Sequence, residues 1–258
     1  MYEHNLDPVA LSFYGLRIYW YSLAYIVGFL FTFWYSKKLI KKKVLNLNFE
    51  IAEDFISIGI LTVILGGRFG YVFFYNFEYY LINPVEIIKI WKGGMSFHGA
   101  LIGLVFHMII FSYKKKQDIT ELANLLAFSS PVGIFFGRIA NFINGELIGR
   151  ETNGSWGVLY KFEDQPRHPS QLYEAFFEGF VIFVILLIFS KSKLKNKFNA
   201  FSIFLILYSL SRFFIEFFRE PDSQLGFILY NFSMGQILTL PMLIFGFIFL
   251  VNGKNKQN

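Results

Sequence analysis

Seven long apolar runs constrain the fold of this chain more than any other feature. A helix needs about 20 mostly apolar residues to cross a bilayer, and continuous rather than alternating runs favour helices over a membrane β-barrel. Only 16% of the residues are charged, against about a quarter in a soluble domain. The sequence therefore predicts an all-α polytopic membrane protein, one integral membrane domain over residues 1–258 with seven transmembrane helices. The predicted spans are approximately residues 19–35, 51–74, 97–113, 122–143, 171–190, 198–218 and 234–251.

The lysines indicate how these helices cross the membrane. They cluster at residues 37–43, 114–116, 191–197 and 254–256, after the first, third, fifth and seventh predicted spans. Because cytoplasmic loops are enriched in Lys and Arg, all four clusters belong inside, with the N-terminus outside and the C-terminus inside. The net charge of +6 then reflects topology, and we expect no nucleic-acid partner.

The outer side holds three long connections in this topology, over residues 76–95, 144–170 and 220–232. Residues 76–95 contain a helix-start signal at Asn83 and Pro84, followed by an amphipathic stretch over residues 85–91. This pattern predicts a segment lying on the membrane surface. Residues 144–170 are rich in Gly, Asn, Asp and Pro, and we expect them to form a small extracytoplasmic head.

The arginines lie apart from the lysine clusters, and this topology places all of them in the outer half of the protein. An arginine inside a membrane costs at least about 2.5 kcal/mol unless it is paired or hydrated. A guanidinium group also binds phosphate through two parallel hydrogen bonds. The arginines therefore predict an outward-facing site for a lipid phosphate, with internal ion pairing as the alternative. They are Arg17, Arg68, Arg138, Arg150, Arg167, Arg212 and Arg219.

Local spacing divides these arginines. Glu216 lies four residues after Arg212 and three before Arg219, so its carboxylate can bridge both on one helix face. This triad has a structural and a functional interpretation, and the sequence leaves both open. Arg68 and Arg138 have no nearby acid in sequence, and for these two we favour contact with the ligand.

The densest polar segment runs over residues 137–150. Arg138 and Asn141 share a helix face, and helix breakers follow at Asn144 and the next glycine, before Glu146. A helix that ends in such a turn can present side chains and backbone donors to a lipid headgroup. Small-residue helix packing is the alternative explanation for the glycines. The pairs with GxxxG spacing are Gly133 with Gly137 and Gly145 with Gly149.

The remaining polar candidates are fewer. His98 opens the third predicted span beside glycine and is a candidate for proton transfer, whereas His107 lies on the opposite helix side and is predicted to be structural. Residues 167–174 indicate a capped helix start, and their one histidine and one glutamate give little support to a metal site. Tyr21 is either a polar contact or a membrane anchor. The chain has no cysteine, which excludes a disulfide and a cysteine nucleophile.

Five segments, in order along nearly the whole chain, resemble the signatures of the prolipoprotein diacylglyceryl transferase family. They are residues 66–71, 96–99, 138–150, 168–174 and 212–222. One departure is Ser22, where the family pattern has glycine after the matched tyrosine.

This resemblance implies a seven-helix enzyme of the bacterial cytoplasmic (inner) membrane whose active site faces the periplasmic or extracellular side. Such enzymes move the diacylglyceryl group of phosphatidylglycerol to the thiol of the lipobox cysteine in a preprolipoprotein signal peptide. The reaction forms a thioether and releases glycerol 1-phosphate, as the first step of bacterial lipoprotein maturation. The implied partners are these two substrates and the lipid bilayer, with no cofactor and no metal.

The resemblance also implies the site residues. It places the phosphatidylglycerol-binding arginine at Arg138, and it makes His98 the leading candidate base, with lipid positioning as its alternative role. The other candidate catalytic residues are Tyr21, Tyr208, Arg212 and Glu216, and the other candidate substrate-binding residues are Asn141, Glu146, Gly149 and Arg219. Arg68 and Asn144 join the binding group from the residue patterns above.

Two other functions remain open from the residues alone. One is a phosphatidylglycerol-consuming headgroup transferase with a different acceptor. The other is a transporter of anionic lipid, a class that often has repeated halves and a midplane site. No internal repeat is apparent in this chain, and its polar residues gather at the predicted outer end.

Overall fold

Helices form most of the protein in the computed structural model, which describes residues 1–221, 226–229 and 232–255. Two α-helices, Ser170–Glu174 (α6) and Ile182–Lys191 (α7), are joined by a π-helical stretch, Ala175–Val181, into one helix over Ser170–Lys191. The α-helices are α1 (Trp20–Lys41), α2 (Phe49–Tyr75), α3 (Phe77–Ile82), α4 (Phe97–Lys115), α5 (Ile119–Asn144), α6 (Ser170–Glu174), α7 (Ile182–Lys191), α8 (Ala200–Ile215) and α9 (Met234–Asn255). Short 3₁₀ helices cover Pro84–Ile88, Ile90–Lys92 and Lys193–Asn196.

Six of the seven predicted spans correspond to helices that are long and apolar enough to cross a membrane. These are α1, α2, α4, α5, the combined α6–α7 helix and α9. The protein is thus mostly helical and polytopic, as predicted. The sixth predicted span, residues 198–218, contains the shorter apolar helix α8, which has 16 residues. A seventh crossing, the orientation and the extracytoplasmic head stay predictions. The third outer connection, residues 220–232, lies in part outside the described residues.

Side-chain caps fix where several helices begin. The Asn48 side chain accepts a hydrogen bond from the Glu50 amide at 3.2 Å before α2, and the Ser96 hydroxyl accepts one from the Gly99 amide at 3.2 Å before α4. The Asp118 carboxylate accepts from the Thr120 amide at 2.8 Å before α5. These caps satisfy N–H groups that have no partner within their helix.

Residues 36–123 form one compact unit, in which α2 and α4 cross at glycines. A Cβ on Gly66 would lie 2.6 Å from the Gly99 carbonyl oxygen, and a Cβ on Gly70 would lie 2.7 Å from the Gly99 Cα. Only glycine allows this backbone approach, which is the close packing expected of membrane helices. His107, buried in the same interface, donates from Nε2 to the Phe55 carbonyl oxygen at 2.9 Å, which agrees with its predicted structural role.

Residues 1–35 and 124–258 form the second compact unit. Gly179 of the π-helical stretch fits against Phe135 of α5, because a Cβ there would lie 2.6 Å from the Phe135 Cβ. In the GxxxG pair of α5, a Cβ on Gly28 of α1 would lie 3.3 Å from the Gly133 Cα, so Gly133 packs closely, whereas an added Cβ on Gly137 would meet nothing within 4 Å. Helix packing does not explain Gly145 and Gly149, since α5 ends at Asn144 and these two glycines lie beyond it in a segment without helix.

Short strands accompany the helices, and the sequence did not predict them. Among the described residues they form three two-stranded sheets. In the β2–β3 hairpin, Phe13 pairs with Leu16 across a turn in which Tyr14 and Gly15 have φ of 46° and 83°. Two positive φ values are what a tight hairpin turn requires. The strands are β1 (Tyr2–Glu3), β2 (Val9–Phe13), β3 (Leu16–Tyr19), β4 (Val158–Leu159), β5 (Phe227–Leu229) and β6 (Phe232–Ser233).

The connection over residues 76–95 has the predicted helix start, since a 3₁₀ helix begins at Pro84. Its large apolar side chains are exposed, including Ile82 at 81% and Trp91 at 75%. Glu86 accepts from Lys89 at 2.6 Å and from Lys92 at 2.7 Å. These two ion pairs lower the pKa of the Glu86 carboxyl and neutralise its charge within the connection.

Residues 144–170 are held together largely by backbone hydrogen bonds. The Gly149 amide donates to the His168 carbonyl oxygen at 3.0 Å, and the His168 amide donates to the Arg150 carbonyl oxygen at 2.9 Å. Arg167 anchors the same segment through its side chain. Its carboxylate partners are Glu163 at 2.5 Å, Glu220 at 3.1 Å and Glu151 at 3.8 Å.

Candidate functional site

Three arginines and three glutamates meet in a buried cluster within the unit of residues 1–35 and 124–258. α5 contributes one arginine, the α6–α7 helix contributes two glutamates, and α8 with the turn after it contributes the rest. The cluster consists of Arg138, Glu174, Glu178, Arg212, Glu216 and Arg219. Charged side chains in an apolar helical protein require such pairing.

Glu174 is the centre of the cluster. Its Oε1 accepts from Arg219 Nη1 at 3.1 Å and from Arg212 Nη1, and its Oε2 forms an ion pair with Arg138 Nε at 3.2 Å. The carboxylate has no exposed surface. One acid therefore holds three guanidinium groups, which compensates the cost of burying its charge.

Glu178 lies one helical turn further on and is held more loosely. Its oxygens are 3.5 Å from Arg138 Nη2 and 3.6 Å from Arg212 Nη1. Both oxygens are buried and lack a hydrogen-bond donor among the described residues. The two glutamates flank the start of the π-helical stretch, a local irregularity that is frequent at functional sites.

The predicted pairing within α8 is confirmed in part. Glu216 Oε2 lies 2.8 Å from Arg212 Nη2, as the four-residue spacing indicated. The other oxygen, Oε1, accepts from the Ser233 hydroxyl at 2.9 Å. Arg219 has the ion-pair partner Glu174 on another helix, which local spacing did not predict.

Arg138 projects from α5 into the same cluster. Its side chain is 19% exposed, and it pairs with Glu174 and Glu178 from another helix, although it has no nearby acid in sequence. Arg138 Nη1 lies 3.5 Å from Asn141 Oδ1, which confirms that these residues share a helix face. Most of its contacts are long, so this guanidinium is less tightly engaged than that of Arg212.

The end of α5 forms a compact polar turn around Glu146. The Glu146 Oε1 accepts from Asn141 Nδ2 at 2.7 Å and from Asn144 Nδ2 at 3.1 Å. The Glu146 carbonyl oxygen accepts from Gln171 Nε2 at 2.7 Å. Gly145, at φ of 67°, makes the turn that ends the helix. The turn thus links Asn141, next to the buried cluster, to the more exposed carboxylate of Glu146.

Gly149 acts through its backbone. A Cβ at this position would lie 2.6 Å from the Phe218 carbonyl oxygen and 2.7 Å from the His168 Cβ. The following residue, Arg150, donates from its amide to the Phe218 oxygen at 2.8 Å and from Nε to the Arg219 oxygen at 3.0 Å. Gly149 therefore lets the segment 144–170 approach the turn that carries Arg219.

The candidate tyrosines differ in their surroundings. Tyr208 stacks on Phe204 at 5.7 Å between ring centres and lies within electrostatic range of Glu178 and Arg138. Tyr21, in the first turn of α1, has an edge-to-face ring contact with Tyr25 at 5.2 Å. The structure thus places Tyr208 beside the cluster.

Two other predicted site residues belong to the compact unit of residues 36–123. His98 is exposed in the first turn of α4 and has an edge-to-face contact with Phe97 at 5.7 Å. Arg68 is 4% exposed, and each of its guanidinium nitrogens donates to a backbone carbonyl. Arg68, for which the sequence favoured contact with the ligand, thus has backbone oxygens as its partners.

Sequence reasoning placed Glu174 at a helix start and did not assign it or Glu178 to the site. The signal was present, since Glu178 interrupts an apolar run and Glu174 lies one turn before it. The rule that marks an intramembrane arginine as functional applies equally to an intramembrane glutamate. Ser233, the hydroxyl partner of Glu216, carried no comparable signal. No group of three His, Asp or Glu side chains in the described part of the chain could hold a metal ion.

Titratable groups next to the cluster respond to burial. Burial raises the pKa of the Tyr160 hydroxyl to about 12, although its hydrogen bond to Gln171 opposes the shift. Burial lowers the pKa of the His168 imidazole below 6.5. Both side chains are therefore uncharged at neutral pH.

Six apolar helices and a buried arginine–glutamate cluster define a multi-pass membrane protein with an ionisable site among its helices. Residues 8–252 match the family model of prolipoprotein diacylglyceryl transferase. The chain is also 51% identical over 259 residues to a phosphatidylglycerol–prolipoprotein diacylglyceryl transferase of Ehrlichia ruminantium (strain Welgevonden), covering 98% of this chain and 99% of that protein. It is 48% identical over 245 residues to the protein of the same name from Rickettsia akari (strain Hartford), covering 94% and 95%.

The chain belongs to the prolipoprotein diacylglyceryl transferase family. It is therefore an enzyme of the transferase class and a multi-pass protein of a bacterial inner membrane.

Proposed function

We propose that this protein transfers the diacylglyceryl group of phosphatidylglycerol to the thiol of the lipobox cysteine in a preprolipoprotein. Family membership and the names of the similar proteins support the reaction. The single structural observation that carries the proposal is the buried cluster in which Arg138 is only partly engaged. An anionic lipid headgroup needs such a cation, and a thioester or disulfide route through the enzyme is unavailable because the chain has no cysteine.

The proposed topology has seven crossings, with the N-terminus and the active site on the periplasmic or extracellular side. The four lysine clusters support this orientation, because each follows an odd-numbered predicted span. In this topology α8 is the sixth crossing, residues 76–95 lie on the outer membrane surface, and residues 144–170 form the extracytoplasmic head.

The chemistry is a displacement at the glyceryl carbon that bears the phosphate. The sulfur of the lipobox cysteine forms a bond to this carbon, and the carbon–oxygen bond breaks with its electron pair remaining on the phosphate oxygen. The thiol proton passes to a base, and glycerol 1-phosphate leaves. Because negative charge grows on the leaving phosphate, fixed cations next to it lower the barrier.

Arg138 is the proposed ligand of the lipid phosphate. Two of its contacts, to Glu178 and Asn141, are 3.5 Å long, so a phosphate oxygen can replace them with shorter, charge-assisted hydrogen bonds. Arg212, oriented by Glu216 at 2.8 Å, would contact the leaving phosphate or activate the thiol. Arg219 supports this arrangement through Glu174.

The remaining candidates have supporting roles in this scheme. Asn141, Asn144 and Glu146 would hold the headgroup at the end of α5, where their hydrogen bonds already form one network. Tyr208 lies within range of Glu178 and would contact the reacting group there. The assignments of His98 as base and of Tyr21 as a catalytic residue rest on the sequence resemblance.

The decisive experiment mixes the purified protein in lipid nanodiscs with phosphatidylglycerol and a synthetic lipobox peptide. Mass spectrometry should show the peptide with one diacylglyceryl group in thioether linkage, together with released glycerol phosphate. A peptide with serine in place of the lipobox cysteine should stay unmodified. Absence of the adduct, under conditions where a family enzyme of known activity forms it, would reject the proposed function.

A further inference from the structure

The guanidinium group of Arg68 is fully used by the backbone of its own unit. Arginine has five N–H donors in a planar fork. Nε donates to the Ile87 carbonyl at 2.8 Å, and Nη1 donates to the carbonyls of Gly93 at 2.6 Å and Gly94 at 3.1 Å. Nη2 donates to the carbonyls of Glu86 at 2.6 Å and Lys89 at 3.5 Å. Five donors thus meet five carbonyl oxygens.

Because all of its donors are already used, the Arg68 side chain is not suited to bind a phosphate. A phosphate could bind only by taking donors away from buried carbonyl oxygens, which would then lose their partners. Arg68 is 4% exposed, and its guanidinium carbon lies 5.1 Å from the centre of the Tyr80 ring, so the side chain is enclosed on its face as well. Both observations indicate a side chain that holds protein rather than ligand.

Arg68 holds residues 86–89 and residues 93–94 of the connection 76–95 together. Three of its acceptors belong to or directly follow the 3₁₀ helix Pro84–Ile88, and two belong to the glycine pair before α4. Gly93 and Gly94 have φ of 82° and 79°, a conformation that glycine tolerates and that turns both carbonyls toward Arg68. The side chain therefore closes residues 86–94 into a loop.

A backbone hydrogen bond next to Arg68 fixes the start of α4. The Ser96 amide donates to the carbonyl oxygen of Gly67, the residue before Arg68, at 2.8 Å. Ser96 in turn caps α4 through the Gly99 amide, and His98 lies in that capped first turn. The orientation of His98 in this first turn of α4 therefore depends on the loop of residues 86–94 staying closed.

We infer that Arg68 is a positioning residue: it clamps residues 86–94 and thereby sets the first turn of α4, which carries His98. It does not contact the lipid phosphate. The structural part of this inference stands on the hydrogen bonds alone, and only its catalytic consequence rests on the proposed function.

The absence of cysteine allows a direct test by site-specific spin labelling. A nitroxide on Ile88→Cys, at a side chain that is 70% exposed, reports the motion of the clamped loop. A nitroxide on Tyr113→Cys, exposed near the other end of α4, is the control. Arg68→Lys keeps the charge but offers three donors without the planar fork. It should increase label motion at residue 88 and leave residue 113 unchanged.

The kinetic result separates positioning from binding. Since misplacing a catalytic group by about 1 Å can cost on the order of 100-fold, Arg68→Lys should lower kcat by roughly 10- to 100-fold. The KM for phosphatidylglycerol should stay at its wild-type value. A raised KM without loosening at residue 88, or loosening without a loss of kcat, would overturn the inference. If the wild-type enzyme shows no transfer at all, the proposed function fails, while the labels still test the clamp.

Gly94→Ala provides a second variant in case Arg68→Lys does not fold. An added Cβ would lie 2.9 Å from Arg68 Nη1 and 2.6 Å from the Tyr71 ring, so it displaces the clamp without changing any charge. Gly93→Ala is the matched control, because it has a similar positive φ but meets nothing within 4 Å. Gly94→Ala should reproduce the loosening and the loss of kcat to a larger extent than Gly93→Ala. Equal effects would show that turn strain, not the guanidinium, fixes the loop, and would also overturn the inference.

Discussion

Glu174→Gln should destabilise the protein more than any other single isosteric change in the buried cluster. The substitution keeps the size of the side chain but removes the charge that three arginines share. It also turns an amide N–H₂ group toward at least one guanidinium group, because an amide has only one acceptor oxygen. The change therefore leaves positive charge without compensation in a site that has no exposed carboxylate surface.

The magnitude follows from the contacts. Glu174 accepts hydrogen bonds from Arg219 at 3.1 Å and from Arg212, and it forms an ion pair with Arg138 at 3.2 Å. Breaking a buried ion pair from one side costs about 3–5 kcal/mol, and we expect a loss in this range for Glu174→Gln. For a chain of this size, one kcal/mol corresponds to about 2–4 °C in Tm, so the shift should be roughly 6–20 °C.

Glu178→Gln is the matched control. This carboxylate is equally buried and lies on the same helix, but its guanidinium neighbours are 3.5 and 3.6 Å away and it accepts no hydrogen bond. Without charge-assisted hydrogen bonds to lose, worth about 1.5–3 kcal/mol each, the change should cost about half as much or less.

The assay measures the folded fraction after heating in detergent, by intrinsic tryptophan fluorescence and by size-exclusion chromatography of the same samples. The order of the midpoints should be wild type, then Glu178→Gln, then Glu174→Gln. A Glu178→Gln midpoint at or below that of Glu174→Gln would refute the reasoning that contact distance and hydrogen bonding decide the cost of removing a buried charge.

Three further outcomes are expected. Arg138→Lys keeps the charge but loses the bidentate fork, so transfer from phosphatidylglycerol should fall about 100-fold. The control Arg17→Lys, at an exposed hairpin position, should leave transfer unchanged. Normal turnover by Arg138→Lys would contradict the assignment of this residue to the lipid phosphate. His98→Gln should slow the chemical step while phosphatidylglycerol binding survives, and equal loss of both in a binding assay would favour a positioning role. Because the pKa of His168 is lowered from 6.5 by burial, the unfolded chain binds more protons below that pH, and stability is lost as the pH falls. His168→Gln should therefore lose less Tm than the wild type between pH 6.5 and 5, and parallel slopes would count against this linkage.

The helices could be predicted because bilayer thickness sets their length. The predicted spans 51–74 and 97–113 correspond closely to α2 (Phe49–Tyr75) and α4 (Phe97–Lys115). The predicted span 198–218 is longer than α8, which ends at Ile215 although Phe217 and Phe218 are apolar. There the backbone turns away to pair with the segment 144–170, since the Arg150 amide donates to the Phe218 oxygen. A partner so distant in sequence leaves no local signal.

The candidate site was predictable to the extent that its members interact within one helix. Arg212 with Glu216, and Arg138 with Asn141, have the spacing of a single helix face and do interact. Glu174 joins residues from several helices, and its role depends on how those helices pack. The strands were not predicted either. The β1–β4 pair, for example, joins Tyr2 to Val158, which come together only in the folded chain.

Arg68 and Arg138 look alike in sequence, since each lies in an apolar helix without a neighbouring acid. The structure gives them opposite properties. The acceptors of Arg68 are carbonyl oxygens, which every residue carries, so no side-chain pattern could have marked them. Arg138 has acids from another helix, yet two of its contacts are 3.5 Å long, and 19% of its side chain stays exposed. The number of donors already satisfied, rather than the presence of an acid nearby in sequence, therefore separates an arginine that holds the fold from one that can still accept an anionic ligand.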